Sequence, residues 1–145
     1  GRSKSQGTVL IQTKNVNHSL NRRLQLDDDI NYFDGELAQR KEFGYPPYVK
    51  LIKIKFRSRN KKILYDGSNW FANALKKNMK SKILGPEFPI ISKIKNEFLM
   101  NLLIKVKPED KLFSIKNIIS KILKKFSTYS QFRLIKTNVD VDPYN

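Results

Sequence analysis

The sequence predicts an α+β protein whose main part is a ferredoxin-like domain of the split β-α-β-β-α-β type. Two helices should cover one face of a four-stranded antiparallel sheet and leave the other face open. Three observations favour this fold. After the Pro46-Pro47 pair, segments with the period-two pattern of strands alternate with segments of helical periodicity. The 145 residues, 39% of them hydrophobic, suit one core, and no apolar run reaches the ~20 residues of a membrane span.

The first 14 residues are predicted to be the end of a different domain. Gly1-Arg2 lies in a polar loop that leads into one short apolar strand, Thr8 to Thr13. A single strand leaves its backbone groups unpaired at both edges, and even a two-stranded hairpin is only marginally stable in water. We therefore expect the partner strands of this segment to lie outside the sequence, and the segment to fray without them.

Residues 15–47 are predicted to form a helical linker. A longer helix should run from about Asp28 to Glu42, because its apolar residues follow the i, i+3, i+7 pattern of one helix face. It begins in acids that offset the helix dipole and ends before Gly44 and Pro46-Pro47. The acids are Asp27, Asp28 and Asp29, the apolar positions are Ile30, Phe33 and Leu37, and a shorter helical segment before them carries Leu20, Leu24 and Leu26.

Residues 48–145 alternate predicted strands and helices. The strands are expected at 48–59, 90–95, 99–107 and 132–141, and the helices at 60–79 and 111–126. Gly85-Pro86 is predicted to be a turn, and Asp142-Pro143 closes the last strand. The first helix should bury Ile63, Trp70, Phe71, Ala74 and Leu75. The last helix has the clearest apolar stripe, formed by Phe113, Ile115, Ile118, Ile119, Ile122 and Phe126.

The positive charge of the chain is concentrated in this second part. The formal net charge is +16, and residues 1–47 hold seven basic and six acidic residues, so residues 48–145 carry +15. A domain this basic attracts polyanions, of which nucleic acid is the commonest. Lysine outnumbers arginine 22 to 7, so an AT-rich genome that inflates lysine is an alternative explanation.

The positions of the basic residues favour a DNA-binding surface. On the first strand, cations alternate with core residues and lie about 6.6 Å apart along one face. We expect no stacking aromatic on this face, so it should contact the DNA backbone without reading sequence. Long lysines that simply solvate an exposed sheet are the alternative. The predicted DNA-binding residues are Lys53, Lys55, Arg57, Arg59, Lys93, Lys95, Lys105 and Lys107.

The sequence contains few residues that could form an active site. There is no cysteine, and therefore no disulfide or thiolate metal site, which fits a reducing cytoplasm. His18 is the only histidine and lies in a polar turn. Asp140 and Asp142 are interpreted as strand-end residues, and no phosphate-binding loop motif occurs. We predict no metal site in this chain.

Four segments resemble, in order and spacing, the C-terminal end of the primosomal protein N′ (PriA) family of replication-restart DNA helicases. The segments are Gly1-Arg2 with Gly7-Thr8-Val9-Leu10-Ile11-Gln12-Thr13; Phe33, Glu36-Leu37 and Arg40 with Tyr45-Pro46-Pro47-Tyr48; Gly85-Pro86; and Asp140-Val141-Asp142-Pro143. The resemblance implies an ATP-dependent 3′-to-5′ DNA helicase acting at stalled forks. Residues 1–14 would then close a RecA-like helicase lobe, and residues 48–145 would form the family's C-terminal DNA-binding domain.

The resemblance also implies site residues, cofactors and partners. Arg2 would be the last arginine of helicase motif VI, which faces ATP phosphates. Lys111 and Lys116 would lie near the place where relatives bind the acidic tail of single-stranded-DNA-binding protein. ATP with Mg²⁺, and zinc, are implied for the full-length family, with no cofactor in this piece. The expected partners are DNA, single-stranded-DNA-binding protein and other primosome proteins in the cytoplasm, without a membrane.

Two alternatives stay open at this point. The chain could be a protein-interaction module whose cations receive the acidic tail, or a free-standing ribosomal-type nucleic-acid-binding domain. The segment that begins at Gly1 disfavours the second of these.

Overall fold

The computed structural model describes residues 7–18, 21, 24 and 30–143, with the backbone alone for residues 30–32. The chain divides into two compact units, Gly1–Gln39 and Arg40–Asn145. Arg2, Leu20, Leu26 and the acids at 27–29 lie outside the described residues. Within the described part, no helix is both long and apolar enough to cross a membrane.

The described part of the first unit contains helical residues and no strand. Residues 7–13 form no strand, and Val9 and Leu10 are exposed. The pairing of this segment with strands outside the sequence stays a prediction. Helix α1 spans Ile30–Phe43, close to the predicted bounds. Phe33 and Leu37 are exposed, so the expected apolar face of this helix is not buried.

The second unit is built on an antiparallel sheet in the order β2-β4-β1-β5, with two helices. The strands are β1 Lys50–Ser58, β2 Lys82–Glu87, β3 Lys93–Ile94, β4 Glu97–Val106 and β5 Lys136–Val141. The helices are α2 Lys61–Asn78 and α3 Leu112–Thr128, and a 3₁₀ turn covers Ser130–Phe132. The short β3 forms a hairpin with β4. The predicted coarse class, an α+β fold with helices and an antiparallel sheet, is confirmed.

The core lies between α2, α3 and one face of the sheet. Ile52, Ile54 and Phe56 of β1 are fully buried, as their period-two spacing predicts. The Phe56 ring packs edge-on against Phe71 of α2, with centroids 5.3 Å apart, and against Phe126 of α3, with centroids 6.3 Å apart. Burying each of these side chains contributes about 2–3 kcal/mol, so they fix both helices on this face.

A side-chain cap starts helix α2, and a glycine within it allows close packing of another segment. The Asn60 side chain caps it by accepting a hydrogen bond from the Ile63 N–H at 3.1 Å. Gly67, which has poor helix propensity, stands where a Cβ would come within 2.3 Å of Ile135 Cδ1. The missing side chain therefore lets Ile135, just before β5, pack directly on the helix.

The second strand of the domain lies earlier than predicted. The prediction placed it at 90–95, but the structure places β2 at Lys82–Glu87 and leaves only the two-residue β3 in the predicted range. Gly85-Pro86 is therefore not the predicted turn, because it lies inside β2, where the register with β4 shifts. Proline is tolerated there because β2 is an edge strand. Gly85 has a φ of +88°, and a Cβ on it would lie 2.8 Å from the Asn101 carbonyl oxygen.

Two other predictions about the end of the chain are wrong in part. The last strand begins at Lys136 instead of 132, because residues 130–132 form the 3₁₀ turn. Helix α3 buries Ile115, Ile119, Ile122 and Phe126 as predicted, but Phe113 is 76% exposed. Phe113 precedes Ile115 by two residues, which places the two side chains on different sides of a helix.

Candidate nucleic-acid interface

The sheet face opposite the helices, called here the outer face, carries a row of cations on β1. Lys53, Lys55 and Arg57 alternate with the buried core residues, and Arg59 follows the strand. Arg57 and Arg59 are exposed, and Lys53 and Lys55 are half-buried. We call these four side chains the basic row. Because β1 is a central strand, the row crosses the middle of the outer face.

Strand β5 adds one cation that was not among the predicted DNA-binding residues. Lys136 is paired with Arg57 in the register of β1 and β5, so both side chains lie on the outer face. Its Nζ lies 2.6 Å from the Glu97 carboxylate of β4, a contact that crosses β1. The alternation of β5 was sufficient to place Lys136 on this face.

Two acids border the row. Asp140 is paired with Lys53, and its carboxylate lies 3.6 Å from the Lys55 Nζ. The hydrogen bond from Lys136 holds the pKa of the Glu97 carboxyl below its usual range against the opposing effect of burial, and the charges of Lys136, Arg57 and Arg59 lower it further. Cations still outnumber acids, since the basic row and Lys136 face only these two carboxylates along β1 and its neighbours.

Lys105 differs most from its predicted role. It lies on the outer face of β4, opposite Leu51, but only 6% of its surface is exposed. Its Nζ donates a hydrogen bond of 2.7 Å to the Phe43 carbonyl oxygen and lies 3.8 Å from the centre of the Tyr45 ring. Burial lowers the pKa of the Lys105 ammonium, and the charge of Lys82 lowers it further. The expectation of an exposed cation is therefore wrong at this position.

The contacts of Lys105 show that the outer face is covered at one end. Residues 43–45 lie over Lys105. Gly44 is so close to the lysine side chain that a Cβ added to it would lie 3.9 Å from Lys105 Cδ. Arg40 supports the same segment by donating a hydrogen bond to the Pro46 carbonyl oxygen. The face predicted to be open is consequently open only toward the end that carries Arg57 and Arg59.

The remaining predicted DNA-binding lysines lie away from the basic row. Lys93 is paired with Phe98, a core-facing residue, and its Nζ lies 5.1 Å from that ring. It therefore lies on the helix side of the sheet, not on the outer face as predicted. Lys95 occupies the turn between β3 and β4, with a φ of +46°. Lys107 follows β4 and forms an exposed ion pair of 3.5 Å with Glu109.

The two lysines expected at the acidic-tail site lie at the start of α3. Lys111 immediately precedes the helix, and Lys116 is exposed on its second turn. Lys116 borders a groove of about 310 Å³ between α3 and the edge strand β5. The other groove residues are mostly apolar: Ile52, Ile119, Ser120, Leu123, Val139 and Val141.

Asp142 has a structural role at the end of β5. Its carboxylate accepts a hydrogen bond of 3.1 Å from the Leu51 N–H, and its own N–H donates to the Leu51 carbonyl oxygen at 2.8 Å. Asp140 forms its ion pair with Lys55. Among the described residues, no three His, Asp or Glu side chains cluster closely enough to hold a metal ion.

Comparison with known sequences places this domain in a family. The sequence pattern of the family described as primosomal protein N C-terminal domain matches residues 41–144. The chain belongs to this family. The match begins at residue 41. It therefore includes residues 43–45, which contact Lys105 in this primosomal protein N C-terminal domain.

Curated relatives of the primosomal protein N C-terminal domain carry the name Replication restart protein PriA. The protein of Bacillus subtilis (strain 168) is 28% identical over 99% of this chain and 18% of its own length. Those of Treponema pallidum (strain Nichols) and Thermotoga maritima are 31% and 33% identical, over 72% and 69% of this chain. They are matched over 16% and 13% of their own lengths. The chain thus spans less than a fifth of these relatives, and the resemblance stated from the motifs is confirmed.

One solved structure shares the fold of the primosomal protein N C-terminal domain. It is titled De novo designed protein Foldit4 and superimposes with a TM-score of 0.50 at 12% identity, covering 67% of this chain and 99% of that one. At that identity the similarity concerns the fold alone.

Proposed function

We propose that the chain is the C-terminal part of an ATP-dependent 3′-to-5′ DNA helicase of replication restart, and that it contributes DNA binding without sequence preference. The name of the relatives, Replication restart protein PriA, supports the restart role. We assign the second unit to the ferredoxin-like type, because the order β2-β4-β1-β5 with helices after β1 and β4 is the one that a split β-α-β-β-α-β unit requires.

The basic row is the observation that carries the DNA-binding proposal. Its side chains repeat along one strand at about 6.6 Å, in the middle of a face that the helices do not cover. Lys136 adds a cation on β5, which is ion-paired with Glu97. A regular line of cations that outnumber the acids beside them fits the phosphates of a nucleic-acid strand.

The same face supports binding without base reading. On the outer face of the described strands, the side chains between the cations are aliphatic or amide, such as Leu99, Asn101 and Leu103. Stacking of single-stranded bases needs aromatic platforms, which these residues do not provide. The domain should therefore hold the DNA backbone and leave sequence unread.

Salt dependence tests this proposal. If the four cations of the basic row each neutralise one phosphate, log K for single-stranded DNA should fall with log salt at a slope of about −3. Fluorescence anisotropy between about 50 and 200 mM NaCl on two strands of unrelated sequence gives the slope and the sequence preference. Equal affinities and that slope support the proposal. A slope near zero, or a strong preference for one sequence, contradicts it.

Three further assignments belong to the same proposal. Arg2 would complete the ATP site of the helicase, residues 1–14 would close its second lobe, and residues 15–47 would link that lobe to the DNA-binding domain. ATP with Mg²⁺, and zinc, would be bound by other parts of the helicase. A protein that acts on replication forks would work in the cytoplasm together with other primosome proteins.

A second candidate function is recognition of the acidic tail of single-stranded-DNA-binding protein. The groove between α3 and β5 favours it, because its walls are apolar and Lys116 stands at its rim. A short peptide with acidic and apolar side chains would match both features.

Charge reversal on α3 tests the tail site. Lys111→Glu and Lys116→Glu should each weaken peptide binding by about tenfold or more while leaving DNA affinity within about twofold. Titration calorimetry with the acidic peptide measures the first effect, and anisotropy with DNA measures the second. Unchanged peptide affinity in both variants would rule the site out.

A further inference from the structure

The loop between β2 and β4 exposes an unusual set of apolar side chains. Ile90 is fully exposed at its tip, Ile91 is 65% exposed, and Phe88 and Ile94 are 37% and 44% exposed. We call residues 88–94 the apolar loop. Grouped exposure of large apolar side chains marks an interaction site more often than isolated exposure does.

The apolar loop is held in place by the hairpin that follows it. The Leu99 N–H donates a hydrogen bond of 2.9 Å to the Ser92 carbonyl oxygen, and β3 pairs with the start of β4. Lys95 and Asn96 form the hairpin turn with positive φ values of 46° and 65°. The tip residues are therefore presented by an anchored segment, so little ordering is needed when they bind.

Cations lie close to the apolar loop. The Lys61 Nζ lies 5.2 Å from the centre of the Phe88 ring, and the Lys93 Nζ lies 5.1 Å from the Phe98 ring. Lys95 projects from the adjacent turn. Glu87 and Glu97 stand at the two ends of the loop and hairpin, and Glu97 is paired with Lys136. This combination suits a ligand that is both anionic and able to contact apolar groups.

The sheet register places the apolar loop beside the end of the basic row. Phe98 of β4 is paired with Ser58 on one side and with Lys93 on the other. Strand β3, at the end of the apolar loop, therefore lies about two strand spacings, roughly 10 Å, from the end of β1, where Arg57 and Arg59 stand. This is also the end of the outer face that residues 43–45 leave uncovered.

We propose that the apolar loop contacts bases of DNA that lies along the basic row, with Ile90 and Ile91 inserted where paired strands give way to unpaired ones. Apolar wedges, isoleucine among them, insert between base steps and unstack them in many DNA-binding proteins. Lys95, exposed in the turn that follows the loop, would hold a flanking phosphate. This inference rests on the proposed DNA-binding function and adds a base contact that the outer face itself lacks.

A forked DNA with 2-aminopurine at its first unpaired position tests the inference, because this base fluoresces more strongly when it is unstacked. Binding of the unaltered chain should raise the fluorescence. The double variant Ile90→Ser with Ile91→Ser should abolish the rise and bind the fork about tenfold more weakly, with an unchanged salt slope because no phosphate contact is removed. Both residues are exposed, so the melting temperature should not change.

Phe113→Ser is the matched control, since Phe113 is equally exposed but lies at the opposite end of the sheet, and it should bind as the unaltered chain does. Fork binding without a fluorescence change, or equal binding by the double variant, overturns the inference and leaves the DNA-binding proposal standing. If the unaltered chain binds no DNA, both fail. A dimer that the double variant dissociates while fork binding is unaltered would make the loop a protein contact and overturn the inference.

Discussion

Reversal of Lys53, Lys55 and Arg57 to glutamate is expected to weaken binding of a fluorescent fork DNA roughly 100-fold or more at about 100 mM salt. Each substitution replaces an attraction of about 1 kcal/mol with a repulsion of similar size, and the three act on neighbouring phosphates. Lys53 and Lys55 are half-buried beside Asp140, so their geometry on the strand is fixed better than that of a freely rotating surface lysine. Fluorescence anisotropy measures the loss.

A matched variant separates this effect from a change in net charge. Lys121, Lys124 and Lys125 are exposed on α3, in the layer opposite the outer face. Their reversal to glutamate gives the same net charge, and we expect at most a few-fold loss of DNA affinity. Equal losses in the two variants would show that the basic row has no special role. Circular dichroism and melting temperatures should confirm that both variants fold.

Lys105→Ala is expected to lower the free energy of unfolding by about 1–3 kcal/mol and to release residues 43–48 from the sheet. The substitution removes the buried lysine stem, the hydrogen bond to the Phe43 carbonyl oxygen and the contact with the Tyr45 ring. Urea unfolding measures the loss of stability, and hydrogen exchange of the amides at 43–48 measures the release. Lys107→Ala, on an exposed lysine two residues away, should leave both nearly unchanged.

The lowered pKa of Lys105 adds a pH signature to this test. Because the pKa of the folded state lies below the ordinary value of 10.5, the unfolded chain binds more protons in the interval between the two values. Stability of the unaltered chain should therefore rise with pH across that alkaline interval. Lys105→Met retains most of the stem without a titrating group and should lack this contribution. An identical pH profile for the two proteins would contradict the assignment.

Much of the second unit follows from local sequence patterns. The alternation on β1 predicted both its buried side and its cations, and the 3.6-residue stripe predicted α2 and most of α3. The strand at 82–87 was missed because Gly85-Pro86 has the composition of a turn, although an edge strand accommodates it as an irregularity. Phe113 was wrongly assigned to the buried stripe of α3. Its two-residue spacing from Ile115 already placed it on a different side of the helix.

The candidate interface was predictable where one strand determines it and unpredictable where several segments meet. Period-two alternation places Lys53, Lys55 and Arg57 together, and the same rule places Lys136 beside them. No pattern within β4 shows that residues 43–45 bury Lys105, because that contact joins segments 62 residues apart. The exposure of Ile90 and Ile91 likewise depends on how the loop leaves the edge of the sheet.

The central claim is that the basic row holds DNA phosphates, and the salt dependence of binding measures those contacts most directly. Single-stranded DNA affinity should be compared between the unaltered chain and the variant with Lys53, Lys55 and Arg57 reversed. Loss of three phosphate contacts should reduce the magnitude of the slope of log K against log salt by about 2, whereas the α3 variant should retain the full slope. An unchanged slope in the β1 variant would contradict the claim.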